Sequence, residues 1–127
     1  MPGKVIKTDK AAPPLGTYSQ GWVAGNLVFT AGQLGVAPGT KQLVEGGVAA
    51  QTRRALQNIA GILEAGGSAM SRVVKVTVFL ADLADFGAMN AVYKEFFTND
   101  PPARSTVEVS ALAMGAMVEI EAVGTVD

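Results

Sequence analysis

The sequence predicts an α+β fold: a single sheet with two helices on one face, whose second face turns toward another subunit. Two stretches repeat apolar residues at helical spacing, and six shorter ones alternate or are rich in β-branched residues. Their order, β-β-β-α-β-α-β-β, gives one layer of helices and so leaves one sheet face uncovered. Composition agrees: 49% of the 127 residues are hydrophobic and only 17% are charged, below the ~25% usual in soluble domains. A chain this long makes one domain, 1–127, and so few charges leave apolar surface for a subunit contact.

Lys4 to Thr8 reads as a short first strand, and the proline-rich Ala11–Gly16 as an extended loop. That loop delivers Thr17-Tyr18-Ser19-Gln20-Gly21, where Tyr18 either lines a pocket or packs its ring and wets its hydroxyl. Trp22 to Thr30 is a hairpin turning at Gly25-Asn26. Its second strand runs into Ala31-Gly32-Gln33-Leu34-Gly35, where glycine marks a bulge or a close approach to the backbone. Pro38-Gly39-Thr40 is a turn, and Gln42 to Val44 a short strand or tail.

Gly47 to Ala65 is the first helix, with Val48, Thr52, Ala55, Ile59, Ile62 and Leu63 on its core stripe. Gln51, Arg54, Asn58 and Glu64 fall off that stripe, and Gly66-Gly67 ends the helix through a left-handed cap. Arg72 to Leu80 is the strongest strand. Simple alternation puts Val74, Val76, Val78 and Leu80 on one face, and Val73, Lys75, Thr77 and Phe79 on the other. Asp82 and Asp85 offer N-caps to a second helix running to about Thr98, with Phe86, Met89, Tyr93, Phe96 and Phe97 as its stripe. Asn90 lies on or beside that stripe. An amide there needs partners, so it either caps a neighbouring strand or faces a polar cavity.

Pro101-Pro102 stops the second helix, and the run from Arg104 to Val109 is a strand. Its faces are Ser105, Val107, Val109 and Arg104, Thr106, Glu108; in the last strand they are Val118, Ile120, Ala122 and Glu119, Glu121, Val123. One face is expected to join the core while the other collects the guanidinium, the hydroxyl and the carboxylates. Arg104, just past a rigid turn, is suited to hold a carboxylate in a two-pronged contact. Glu119 is suited to act as acid or base or to orient a water. The plainer alternative is an Arg104–glutamate ion pair across the strands, which contributes little.

There is no Cys and no His. Thiolate nucleophiles, disulfides, Ser-His catalysis and the usual zinc ligand sets are therefore excluded. Net charge is −1 without a Lys/Arg cluster, which argues against a phosphate-tracking surface and nucleic-acid binding. No apolar run reaches the ~20 residues of a membrane span, and Met1-Pro2-Gly3-Lys4 does not open a secretory signal. A soluble cytoplasmic protein is the expectation.

Six motifs together are similar to one known family. They are Gly16-Thr17-Tyr18-Ser19-Gln20-Gly21, Phe29-Thr30-Ala31-Gly32-Gln33, Val48-Ala49-Ala50-Gln51-Thr52, Val76-Thr77-Val78-Phe79 with Asp82-Leu83, Asn90-Ala91-Val92-Tyr93, and Pro102-Ala103-Arg104-Ser105-Thr106-Val107-Glu108. In order and spacing they resemble the Rid (YjgF) reactive-intermediate deaminases over essentially the whole chain. The resemblance implies a chorismate-mutase-like α+β domain assembled as a homotrimer, with sites in clefts between subunits. It implies hydrolysis of 2-aminoacrylate and related imino acids, released by pyridoxal-phosphate dehydratases, to 2-keto acids and ammonia, with no cofactor or metal. On this resemblance Arg104 binds the carboxylate and Glu119 handles the proton or the water, while Gly32, Tyr18, Asn90 and Thr106 complete substrate binding. Ala31 stands where Ser is common and Thr106 where Cys is common, which bears on substrate preference. A non-catalytic trimer sensing small keto or amino acids would use the same Arg104. Some relatives are described as ribonucleases, to which the charge and the missing His are ill suited, and chorismate-mutase chemistry is an analogy of fold alone.

Overall fold

The computed structural model describes residues 3–127; the Met1-Pro2 start lies outside the described residues. The chain runs β1 (Lys4–Ile6), β2 (Gly21–Ala24), β3 (Leu27–Thr30), α1 (Gly47–Ala65), β4 (Val73–Leu80), α2 (Phe86–Phe96), β5 (Ala103–Glu108) and β6 (Val118–Thr125). The strands form one sheet in the order β1-β2-β3-β6-β4-β5. Every pairing is antiparallel except β4 with β5, which are parallel and joined through α2. Parallel neighbours need such a crossover, because no tight turn can reverse the chain twice. It places β5 at the sheet edge.

The core fills the space between this sheet and both helices. Leu56, Ile59, Ile62 and Leu63 of α1 and Met89 and Tyr93 of α2 meet Val28, Val76, Val78, Leu80, Val118 and Ile120 of the strands. Two polar residues of α1, placed off its stripe by sequence, are buried here. Asn58 donates to the Val36 carbonyl at 2.8 Å, and Gln51 accepts from the Met117 amide at 2.9 Å. Each satisfies backbone of a neighbouring loop that sheet pairing leaves unpaired, which is why a polar side chain is tolerated at depth. Through them α1 anchors the segment after Gly32 and the approach to Glu119.

Several local expectations are corrected. The first strand stops at Ile6, and Gln42 to Val44 is reduced to one bridge between Val36 and Leu43. The left-handed cap expected at Gly66-Gly67, by contrast, is formed, with Gly67 at φ of 87° after Gly66 at −92°. Asp82 accepts from the Ala84 amide and caps a short 3₁₀ turn, Leu83–Asp85, whereas the Asp85 side chain caps nothing. α2 ends at Phe96, before the run Thr98-Asn99-Asp100 of weak helix formers.

In β4 a bulge lies between Val73 and Lys75 where it pairs with β6. An extra residue there inverts the alternation upstream, so Val73 is buried and Val74 is 48% exposed. From Val76 onward the sequence alternation holds: Val76, Val78 and Leu80 face the helices. The opposite face carries Trp22, Phe29, Val123 and Lys75 in one cross-strand row. Phe29 and Val107, both on it, remain 41% and 44% exposed in a single chain.

Candidate active site

The registers place Arg104 and Glu119 on opposite faces of the sheet. Arg104 pairs with Val76 and Glu119 with Phe79, three residues apart along β4. Side chains alternate with period two, so an odd separation puts the two groups on opposite sides. The sequence reading that collected guanidinium and carboxylates on one face is therefore wrong. It treated the polar residues of β5 as the solvent side, whereas Arg104 and Thr106 face the helix layer and Ser105 and Val107 face outward. The ion pair offered as a plain alternative is not formed either: no salt bridge among the described residues involves Arg104.

The Arg104 side is built from β5 and α2. Pro101 and Pro102 set the strand entrance, and Asn90, Tyr93, Lys94 and Phe97 line a cleft of about 320 Å³ with them and Arg104. Nη1 of Arg104 donates to Asn90 Oδ1 at 2.7 Å. The guanidinium carbon lies 4.6 Å from the Tyr93 ring centre and 5.3 Å from that of Phe86. Asn90 thus takes the second option left by the sequence and faces a polar cavity. Thr106 lies on the same face two residues along, and its buried hydroxyl has no hydrogen-bond partner.

The Glu119 side is built from β6 and the loops around β2 and β3. Gln33 exchanges backbone hydrogen bonds with Ile120, at 2.7 and 3.0 Å, and this bridge brings Gly32 against the Glu119 side chain. A methyl group on Gly32 would stand 2.8 Å from the Glu119 carboxyl carbon, so glycine here lets the carboxyl group lie directly against the backbone. Glu119, Gly32, Tyr18, Leu15, Leu34 and Ala113 line a cleft of about 370 Å³. Tyr18 is 48% exposed, and its hydroxyl oxygen accepts from the Leu15 amide at 3.1 Å. Burial pushes the Glu119 carboxyl above the usual glutamate range, and the charge of Glu121, two residues along the same face, adds to it. A carboxylate so displaced is a better proton acceptor.

The structure therefore brings the site residues inferred from sequence into two groups, Arg104 with Asn90 and Thr106, and Glu119 with Gly32 and Tyr18. It does not bring the groups together within one chain. Among the described residues no cluster of three or more His, Cys, Asp or Glu could hold a metal ion. Sequence reading missed Phe86 and Tyr93, which it placed on the core stripe of α2. The available signal was a hydroxyl in that apolar stripe, one turn from Asn90.

The family described as Endoribonuclease L-PSP matches residues 8–126. A solved structure of RidA from Psychrobacter sp. superposes with a TM-score of 0.93 at 43% identity, over 97% of this chain and 99% of that one. The chain belongs to the Rid family. Its relatives carry more than one description. A RutC family protein of Pyrococcus abyssi is 47% identical over 97% of each chain. A 2-iminobutanoate/2-iminopropanoate deaminase of Rattus norvegicus is 45% identical, over 94% of this chain and 88% of the relative. No helix among the described residues of this Rid chain is long and apolar enough to cross a membrane.

Proposed function

We propose that this Rid chain hydrolyses short 2-imino acids, 2-iminopropanoate (from 2-aminoacrylate) and 2-iminobutanoate, to 2-keto acids and ammonia. We place the reaction in clefts between subunits of a homotrimer, where the Arg104 group of one chain meets the Glu119 group of the next. The observation that carries the reading is the state of Arg104: a guanidinium held by an amide and two aromatic faces, beside an open cleft and without a carboxylate partner. That arrangement suits a small carboxylate ligand, since Arg keeps its charge and offers a planar fork. The Rattus norvegicus relative's description names the same substrate class.

The chemistry asks little of the protein. An enamine acid first takes a proton at C3 to become the imine protonated on nitrogen, whose carbon C2 accepts water. The water oxygen bonds to C2 as the C=N electron pair moves to nitrogen and one water proton passes to Glu119. Glu119 returns that proton to nitrogen. As the C–N bond breaks, the new hydroxyl gives its remaining proton to Glu119 and thence to solvent, so that the C=O bond forms and ammonia leaves a 2-keto acid. Arg104 supplies orientation by anchoring the carboxylate. Glu119, beside Gly32, supplies the proton acceptor. The partners this implies are imino acid substrates released by pyridoxal-phosphate dehydratases.

A second reading, a trimer that binds keto or amino acids without turning them over, is favoured by one fact: in a lone chain the carboxylate anchor and Glu119 lie on opposite faces of the sheet. The ribonuclease description of the family is not carried to this chain, whose net charge is −1 and which has no His.

One assay separates the readings. A serine dehydratase generates 2-aminoacrylate, semicarbazide traps what survives, and pyruvate release is compared with the spontaneous rate. Arg104→Lys is expected to lose both keto-acid binding and turnover, because an ammonium cannot reproduce the fork. Glu119→Gln is expected to keep keto-acid binding but to turn over poorly, because its role arises only as water attacks. Wild-type protein that binds keto acids through Arg104 but leaves the spontaneous rate unchanged overturns the deaminase reading in favour of the sensor.

A further inference from the structure

The second helix does more than fill the core. Phe86, Asn90 and Tyr93 recur at i, i+4 and i+7 and so share one face of α2. All three meet the same group: Asn90 Oδ1 accepts from Arg104 Nη1 at 2.7 Å, and the two rings lie 5.3 and 4.6 Å from the guanidinium carbon. Arg104 reaches them from an edge strand, where a long side chain otherwise has many rotamers to lose on binding a ligand. We propose that Tyr93 is a positioning residue for Arg104: its ring face holds the guanidinium plane so that the remaining N–H groups meet a carboxylate in the cleft. This deepens the imino-acid reading and rests on it for the identity of the ligand.

Three observations single out Tyr93 over Phe86. Its ring is nearer the cation, it is only 4% exposed and so cannot swing away, and it lines the cleft directly, which Phe86 does not. Phe97 packs against it with ring centres 4.7 Å apart and planes tilted by 42°. The Tyr93 hydroxyl, by contrast, is buried with no hydrogen-bond partner of ordinary geometry. Burial drives its pKa up, with the Arg104 charge and a polar approach of the Arg104 side chain opposing. The ring face, 4.6 Å from the guanidinium carbon, is the feature that positions Arg104 in this proposal, and Tyr93→Phe removes the hydroxyl while keeping that face.

The test separates ring from hydroxyl, and reads Arg104 with and without a ligand. Pyruvate affinity is measured by calorimetry, and the Arg104 Nε–Hε resonance by NMR in the free protein, where a stacked guanidinium is displaced by the ring current. Tyr93→Phe is expected to keep both, within about threefold in affinity, and to melt no earlier than wild type. Tyr93→Leu is expected to lose the ring-current displacement and to weaken pyruvate binding about tenfold, within the range of such contacts. In the deaminase assay it should raise KM with kcat nearly held, since the carboxylate is equally charged in ground and transition states. If Tyr93→Leu folds poorly, replacing Tyr93 by phenylalanines of increasing fluorination drains the ring face at nearly constant shape, and affinity should fall along the series. A Tyr93→Leu protein, or a fluorinated series, with unchanged pyruvate affinity overturns the proposal. If wild type binds no keto acid, the imino-acid reading fails separately, and the NMR arm decides alone: an unmoved Arg104 signal in Tyr93→Leu overturns the positioning role.

Discussion

Arg104 and Glu119 sit on the two strands that flank β4 (β5 and β6) and on opposite faces of the sheet. Strand pairing permits no adjustment here, because rotating either residue to the other face needs a one-residue slip that would expose Val118, Ile120 and Ala122 of β6 or leave β5 out of register with β4. A site using both groups must draw them from different chains.

Complementation between subunits follows. Arg104→Ala and Glu119→Gln chains should each be nearly inactive alone. Co-expressed, or unfolded and refolded together in equal amounts, they should recover about a quarter of wild-type turnover per site, the fraction of random interfaces that receive both intact groups. Light scattering should give three times 13.0 kDa for each species. Mixtures that stay inactive while forming trimers would show that the two groups do not share a site.

Gly32→Ala is expected to uncouple stability from turnover. The added methyl meets the Glu119 carboxyl group, the far end of a flexible side chain, which can move aside at little cost. The melting temperature should hence change by only a few degrees, a loss of about 1 kcal/mol or less. Turnover should fall at least about tenfold, because ~1.4 kcal/mol of misplaced base is enough. Keto-acid affinity, governed by Arg104, should be preserved. A variant with unchanged kcat would remove Glu119 from the reaction.

The pH behaviour follows from the raised pKa of Glu119, caused first by burial and then by Glu121. A base that must be ionised gives a rate that falls on the acid side, with the limb above the ordinary glutamate range. For stability the sign is opposite to that of an ion-paired carboxylate. The folded pKa exceeds the unfolded one, so the contribution is full below the unfolded pKa and is lost as pH rises through the folded value. Glu119→Gln should therefore melt higher than wild type near neutrality, the difference vanishing in acid. Glu121→Gln should move the acid limb of kcat downward by removing the smaller cause. A limb that stays in place assigns the titration to another group.

Sequence alone determined the element order, the two helix stripes and the hairpin at Gly25-Asn26. These rest on local rules of spacing and punctuation that act within a few residues. It also excluded thiol and imidazole chemistry, since a composition without Cys or His settles that whatever the fold. The tertiary structure alone decided which face each strand presents. Period-two alternation yields two sets of residues without saying which looks inward. In β5 the helix-facing side carries Arg104 and Thr106 instead of Val107, because the parallel register with β4 aligned Val76 with Arg104 and Val78 with Thr106. The bulge at Val73 and Val74 was equally invisible, being a mismatch between two strands rather than a property of either. Tyr93 passed for a core residue for the same reason. Its ring is core, and only the approach of Arg104 from a strand 11 residues later in the chain gives that ring a charge to hold.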